Sequence, residues 1–370
     1  MKVFFVVGPV LVLAATAVAY PGMEQTLEEV KARLTGRKSS ELLGDLVTRG
    51  PTSDVGSIIE GILTGSENPE SSESWSGDLP SKDSDSCKED TCCIWRYLAN
   101  EMLRVFRGPG GRCNAFARQA VRLGFHDAGA WEKGASHGGA DGSIVLSAEE
   151  MARRENLGLQ TVGRLMQSWY DRYKKYGTTM ADIIQMGATV GAVECPLGPR
   201  VRSFVGRKDN PTAAVEGLIP RPIDSADTLI VLFERKTISA HGLVALVGAH
   251  TTSQQQFFDT ERQFDPQDST PGVWDVLFYD QTLGTEPAPP RVITFPSDSN
   301  LASDPRTSGE WEKFAGPDNI NELTECTKVL PPFKGSFDPQ ENEALYEEWL
   351  QGEHDEISLK LLEGDFVELT

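Results

Sequence analysis

An arginine and a histidine, Arg122 and His126, lie four residues apart in the segment Arg-Leu-Gly-Phe-His-Asp. On an α-helix this spacing puts both side chains on one face, and Phe125 joins them there. An imidazole can take up a proton and return it to another atom, while a guanidinium can stabilise negative charge that develops nearby. The pair therefore suits acid–base chemistry during cleavage of a polar bond. The alternative is an ordinary surface helix with both side chains solvated.

Two loops are rich in the oxygen atoms that calcium prefers. Asp127 follows the histidine, and residues 138–143 then read Gly-Gly-Ala-Asp-Gly-Ser. Residues 268–275 read Asp-Ser-Thr-Pro-Gly-Val-Trp-Asp. Calcium takes six to eight such oxygens from carboxylates, hydroxyls and backbone carbonyls. The sequence Gly-Gly-Ala-Asp-Gly-Ser taken alone is more often an ordinary turn.

A second histidine, His250, ends the apolar run Gly-Leu-Val-Ala-Leu-Val-Gly-Ala at residues 242–249. The run predicts that a buried helix directs this side chain into the interior. A histidine in such a place is either a core residue or a metal ligand. The oxygen-rich loop that follows it favours a ligand.

Together these motifs resemble the plant-type haem peroxidase superfamily, and most closely its secreted fungal class II members. The resemblance covers residues from about Cys87 to Leu330. It implies a mainly α, two-lobed fold with haem between distal and proximal helices. It also implies a haem b cofactor, two calcium ions, and one-electron oxidation of phenols or other small aromatic donors by hydrogen peroxide.

The resemblance gives each matching residue on the distal side of the haem a role. Arg122 and His126 match the catalytic pair that cleaves peroxide, and Phe125 matches the aromatic residue beside them. Asn156 matches the catalytic-site asparagine that accepts the second ring proton of the distal histidine, and Glu150 matches a supporting glutamate. The implied ligands of the first calcium ion are Asp127, Gly139, Asp141 and Ser143.

On the proximal side, His250 matches the ligand of the haem iron. Asp298 matches the carboxylate that accepts the second ring proton of this histidine. The implied ligands of the second calcium ion are Thr251, Asp268, Thr270, Val273 (through its carbonyl) and Asp275.

The chain departs from two specialised subgroups of that family. The positions of the manganese-binding carboxylates hold Ala115, Gln119 and Gln256, none of which is charged, so tight manganese binding is not expected. The position of the exposed ligninolytic tryptophan holds Ala245. A generic peroxidase is therefore predicted. The alternatives are a manganese-dependent peroxidase and a non-enzymatic calcium-binding module, and the second would be marked by loss of the distal pair or of His250.

Helical periodicity covers most of the segments that must position these residues. The predicted helices span residues 95–106, 115–125, 159–176, 180–192, 225–234 and 240–248. Clear strand alternation is scarce.

The two ends of the chain differ in composition from this central part. Residues 1–19 read as a secretory signal peptide, because an apolar run ends in Ala-Val-Ala. Residues 20–86 are predicted to be a propeptide or flexible linker, residues 87–335 the peroxidase domain, and residues 336–370 an acidic tail. The chain is therefore expected to be secreted.

The six cysteines fit that expectation, because an even number behind a signal peptide favours disulfides. Their spacing alone leaves every pairing open. The resemblance implies the pairs Cys87–Cys93, Cys92–Cys326 and Cys113–Cys195. The net charge of −20 argues against nucleic acid or an anionic membrane as a partner, and a monomer is expected.

Overall fold

The computed structural model describes residues 41–315, and this part of the chain is mainly α-helical. The α-helices are α1 (Leu46–Arg49), α2 (Asp54–Thr64), α3 (Asp85–Glu89), α4 (Thr91–Phe106), α5 (Ala115–Gly129), α6 (Ser143–Leu146), α7 (Ala148–Met151), α8 (Gln160–Tyr173), α9 (Met180–Glu194), α10 (Ala226–Arg235), α11 (Ala240–Val247), α12 (Leu277–Leu283), α13 (Pro296–Ser303) and α14 (Ser308–Ala315). Short 3₁₀ helices lie at Pro109–Gly111, Arg154–Asn156, Lys174–Tyr176 and Gly248–Thr252. Within residues 41–315, β-pairing is limited to isolated bridges. The predicted mainly α fold is confirmed.

The buried apolar side chains form two clusters, one for each lobe. The first is built mainly by α4, α5, α8 and α9, with Trp169 and Phe106 packed edge to face at 5.9 Å. The second is built by α10 to α14 around Trp311, whose indole N–H donates to the carbonyl of Tyr279 at 3.1 Å. Phe125 belongs to α5 but packs against the second cluster. The helix of the first lobe that carries the candidate catalytic pair therefore also contacts the second lobe.

The close crossing of α5 and α9 depends on small residues. A Cβ added at Gly124 would lie 2.5 Å from the Cβ of Ala188, and one at Gly191 would lie 2.7 Å from the carbonyl oxygen of Ala117. Any larger side chain at either position would push the helices apart. Asn114 fixes the start of α5, since its Oδ1 accepts the N–H groups of Phe116 and Ala117.

Most predicted helices agree with the structure to within a few residues, with two informative differences. Helix α5 continues to Gly129, so that His126 lies within the helix and not at its end. Helix α11 ends at Val247 and a 3₁₀ helix carries His250. The hydroxyls of Thr252 and Ser253 contact carbonyl oxygens three residues back, at 3.1 and 2.8 Å, and these bonds favour the tighter turn.

The segment predicted as a propeptide or flexible linker packs in part against the core. The N–H of Ser71 donates to the carbonyl of Arg200 at 3.2 Å, and the guanidinium of Arg200 donates to the carbonyls of Ser71 and Glu73. Further along, Lys82 donates to the hydroxyl of Tyr173 at 2.9 Å. Residues 71–82 therefore do not behave as a free linker, and cleavage of residues 20–86 stays a prediction.

Several predictions fall wholly or partly outside the described residues. These are the signal peptide at 1–19, residues 20–40 of the propeptide or linker, residues 316–335 of the peroxidase domain with Cys326, and the tail at 336–370. Cys92 is exposed and makes no disulfide with another described cysteine, so its pairing with Cys326 stays a prediction. No helix among residues 41–315 is both long and apolar enough to cross a lipid bilayer.

Among residues 41–315 two disulfides are formed, Cys87–Cys93 and Cys113–Cys195, and they close loops of very different length. The paired residues are 6 apart in the first and 82 apart in the second. A longer closed loop removes more entropy from the unfolded chain.

We expect the double variant Cys113→Ser/Cys195→Ser to lose about 4.5 kcal/mol of unfolding free energy, because it opens the long loop. The matched double variant Cys87→Ser/Cys93→Ser should lose only about 2 kcal/mol. Denaturant titration of both variants measures the difference. Equal losses would contradict the loop-length argument.

Candidate functional site

Helix α5 places Arg122 and His126 on one face, as their spacing predicts. The guanidinium of Arg122 donates to the carbonyls of Leu157 and Glu155, at 2.8 Å each. The Arg122 side chain is exposed to solvent in part, although many protein atoms surround its guanidinium. This partial loss of water lowers the pKa of Arg122 to about 10, so the group stays positively charged at neutral pH.

His126 is held in one orientation by a buried amide. Its Nδ1–H donates to the Oδ1 of Asn156 at 2.8 Å, and the Nδ2 of Asn156 donates to the carbonyl of Glu150 at 2.7 Å. The second bond identifies the amide oxygen as the acceptor, which in turn leaves the Nε2 of His126 as the unprotonated nitrogen. Nε2 makes no hydrogen bond within the described chain. Burial, reinforced by the charge of Arg122, lowers the pKa of His126 to about 3.

Glu150 helps to hold Asn156 in place beside His126. The carboxylate is buried, and its Oε2 accepts the backbone N–H of Ala214 at 2.7 Å. Its own carbonyl receives the amide of Asn156. The predicted supporting glutamate thus acts through both its side chain and its backbone.

His250 is anchored in a similar way on the second lobe. Its Nδ1 lies 3.3 Å from the Oδ2 and 3.2 Å from the Oδ1 of Asp298, a carboxylate with no exposed surface. Phe278 and Phe295 pack edge to face against the ring, with centroids 5.5 and 6.0 Å away. About a third of the histidine side chain remains accessible. Nε2 again makes no hydrogen bond to a described residue.

Two residues near His250 were not singled out from the sequence. The Nε2 of Gln267 donates to the Oδ2 of Asp298 at 2.8 Å and lies 3.1 Å from the Nδ1 of His250. Ser253 donates to the Oε1 of Gln267 at 2.5 Å. The only hint in the sequence is a polar side chain next to the oxygen-rich loop, and nothing in that pattern points towards the histidine.

The first oxygen-rich loop folds around Asp127, whose carboxylate accepts the N–H of Gly142 at 3.1 Å. Gly142 has a φ of +78°, and a Cβ there would lie 2.9 Å from the backbone nitrogen of Ala181, so only glycine fits. Asp141 accepts the N–H of Ser143 at 3.1 Å, and its own N–H donates to the carbonyl of Gly139 at 2.7 Å. The predicted ligands of the first calcium ion therefore lie together where the end of α5 meets this loop.

The electrostatics of this loop fit a cation. Asp127 is fully buried, and burial raises its pKa, with the nearby charges of Asp141 and Glu150 adding to the rise. The hydroxyl of Ser143 is buried and has no hydrogen-bond partner among the described residues. A hard cation would satisfy that oxygen and offset the negative charge.

The second oxygen-rich loop joins two carboxylates through two hydroxyls. Thr251 donates to Asp268 at 2.5 Å, and Thr270 donates to Asp275 at 2.7 Å. Burial raises the pKa of Asp268 well above its ordinary value, and the charge of Asp275 adds to this. Burial raises the pKa of Asp275 as well. Val273, whose carbonyl is the fifth predicted ligand, is buried in the same loop.

The two histidines have the features that a haem group requires. Each has one ring nitrogen fixed by a buried acceptor and the other nitrogen free. The accessible part of His250 is suited to bind iron, because its second nitrogen is already occupied by Asp298. Phe125, which lies edge to face with His126 at 5.9 Å and stacks on Phe233 at 6.4 Å, spans the region between the lobes.

The sequence is similar to those of known peroxidases. The sequence model of the peroxidase family matches residues 104–317. Ligninase C of Trametes versicolor is 31% identical over 289 residues, which are 65% of this chain and 76% of that protein. Ligninase LG5 of Phanerodontia chrysosporium is 32% identical over 246 residues, which are 60% of this chain and 65% of that protein.

A protein named peroxidase from Arthromyces ramosus is 27% identical over 287 residues, which are 66% of this chain and 78% of that protein. The family match covers more than half of the chain. The chain therefore belongs to the peroxidase family and is a haem peroxidase that acts on hydrogen peroxide.

Proposed function

We propose that this protein is secreted and uses hydrogen peroxide to oxidise phenols or similar small aromatic molecules in one-electron steps. The observation that carries the proposal is the pair of histidines with fixed Nδ1 and free Nε2, one beside Arg122 and one beside Asp298. Haem b would be held by the Nε2 of His250 and would supply the reduction of peroxide and the oxidation of the donor.

His126 and Arg122 divide the work on the distal side. The neutral Nε2 of His126 takes a proton from one peroxide oxygen and delivers it to the other, which departs as water. Two N–H groups of Arg122 are bound by the carbonyls of Leu157 and Glu155, so the cation is fixed while its other N–H groups remain available. The fixed cation stabilises the negative charge that grows on the departing oxygen.

The choice of donor follows from side chains that carry no charge. Ala115, Gln119 and Gln256 cannot supply the carboxylates of a manganese site, and Ala245 cannot act as a redox-active tryptophan. A small neutral aromatic donor needs neither a manganese site nor an exposed tryptophan. Secretion is supported by the signal-like residues 1–19, and the acidic composition is consistent with a monomer that binds neither nucleic acid nor membrane.

The direct test is the visible spectrum of the purified haem-loaded protein before and after one equivalent of hydrogen peroxide. We expect a Soret band that changes on addition of peroxide and returns when a phenol is added. In His126→Leu, the rate of the change should fall about 10²- to 10⁴-fold. A visible spectrum that does not change on addition of peroxide would refute the proposal. A rate of spectral change in His126→Leu equal to that of the wild type would refute it as well.

Loss of the amide that orients His126 should slow the reaction less than loss of His126 itself. In Asn156→Ala we expect the rate of peroxide reaction to fall about 10- to 100-fold, since the ring is no longer fixed with Nε2 free. Asn68→Ala is the control, because the side chain of Asn68 also bonds to the backbone, accepting the N–H of Glu70 at 3.0 Å, on an exposed segment that contacts neither histidine. Stopped-flow mixing with peroxide measures both rates, and equal rates would contradict the orienting role of Asn156.

Calcium should be bound at both oxygen-rich loops and should stabilise the fold. Elemental analysis is expected to find two calcium ions per chain, and one in either Asp127→Asn or Asp268→Asn. At a free calcium concentration 100 times the Kd, each site adds about 2.7 kcal/mol to the unfolding free energy. Thermal melts with and without a chelator check this, and unchanged melting on complete calcium removal would contradict it.

A further inference from the structure

A buried amide contacts the carboxylate that holds His250. Gln267 is only 3% exposed, and its Nε2 donates to the Oδ2 of Asp298 at 2.8 Å. This is the same oxygen that lies 3.3 Å from the Nδ1 of His250. The Nδ1 of His250 also lies 3.2 Å from the Oδ1 of Asp298, so the amide and the imidazole share one carboxylate.

Ser253 fixes which end of the amide faces the carboxylate. Its hydroxyl donates to the Oε1 of Gln267 at 2.5 Å, so the amide oxygen points to Ser253 and the amide nitrogen to Asp298. The carbonyl oxygen of His250 lies 2.8 Å from the same hydroxyl. The single proton of this hydroxyl is shared between the amide oxygen and the carbonyl of His250, with the shorter contact to the amide.

Few other groups share the charge of this carboxylate. The Oδ1 of Asp298 is buried and makes no hydrogen bond among residues 41–315, although the Nδ1 of His250 lies 3.2 Å from it. Each donor that binds a carboxylate draws off part of its negative charge, which weakens its bonds to other donors. A neutral donor on Asp298 should therefore make the imidazole of His250 less anionic than the carboxylate alone would make it.

We propose that Gln267, oriented by Ser253, is a positioning residue that limits the negative charge Asp298 shares with His250 and thereby raises the reduction potential of the bound haem iron. This inference rests on the proposed function, in which His250 binds that iron. A less anionic histidine stabilises the ferric state less. The amide would therefore make the iron a stronger oxidant.

The test is Gln267→Leu, which removes the amide and keeps a side chain of similar volume. We expect the ferric/ferrous midpoint potential to shift to a more negative value and the iron–histidine stretching band in resonance Raman spectra of the ferrous protein to shift to higher frequency. The circular dichroism spectrum and haem content should match those of the wild type. An unchanged potential and band in a folded, haem-loaded variant would overturn the proposal.

A pair of substitutions at Ser253 provides a second test in case Gln267→Leu does not fold. Ser253→Ala leaves the amide unanchored and should shift both quantities in the same direction by a smaller amount. Ser253→Thr keeps the hydroxyl and should restore wild-type values. Identical values in the two variants would overturn the role of Ser253.

The same resonance Raman spectra test the role of Gln267 separately from the proposal that His250 binds the haem iron. Absence of an iron–histidine band in the wild type would refute iron binding by His250. A band that is present in the wild type, lost in His250→Ala and unmoved in Gln267→Leu would leave the peroxidase proposal intact and refute only the role of Gln267.

Discussion

An imidazole ring can serve a peroxidase only if one of its nitrogens is fixed and the other is left free. Both histidines in this protein meet that requirement through a buried acceptor at Nδ1. The acceptors differ in charge: His126 has the neutral amide of Asn156, and His250 has the carboxylate of Asp298. A neutral acceptor keeps the first ring available as a proton carrier, while a carboxylate makes the second ring a stronger donor to a metal.

The remainder of the described fold keeps these acceptors in place. On the first lobe, Asn156 is tied to the carbonyl of Glu150, whose carboxylate holds the backbone of Ala214. The neighbouring residues of the same loop provide the carbonyls that bind Arg122. One short stretch of chain therefore orients the base and fixes the cation. On the second lobe, the hydroxyl of Thr251 links the residue after His250 to the buried carboxylate of Asp268.

The small residues at the crossing of α5 and α9 have the same purpose at longer range. Gly124 lies two residues before His126, and its lack of a side chain lets α5 approach Ala188. A shift of this helix would move the base and the cation together, relative to the second lobe. The geometry of the site thus depends on packing contacts that take no part in the chemistry.

The sequence predicts the position of a side chain well where a regular helix sets the angle between successive residues. Arg122 and His126 share a face because an α-helix has 3.6 residues per turn, and the apolar runs revealed most helices. The match of Asn156 and Asp298 came from resemblance, since no local pattern connects them with the histidines they contact.

The contacts of Gln267 and Ser253 near His250 could not be predicted from the sequence, for a physical reason. Each lies in irregular chain, where the direction of a side chain depends on the tertiary fold and not on a period. The packing of residues 71–82 was missed in the same way, because a composition rich in serine and glycine does not show which backbone groups will find partners such as Arg200. The 3₁₀ turn at His250 likewise depends on hydroxyl contacts that a hydropathy pattern does not contain.

In the proposed function, the Nε2 of His250 would hold the haem iron. The most direct measurement is the ferric haem spectrum of His250→Gly with and without added imidazole. The account predicts that the substitution abolishes the wild-type Soret and charge-transfer bands and that free imidazole, entering the space left by the side chain, restores them. A wild-type spectrum in His250→Gly without imidazole would show that another residue binds the iron and would contradict the account.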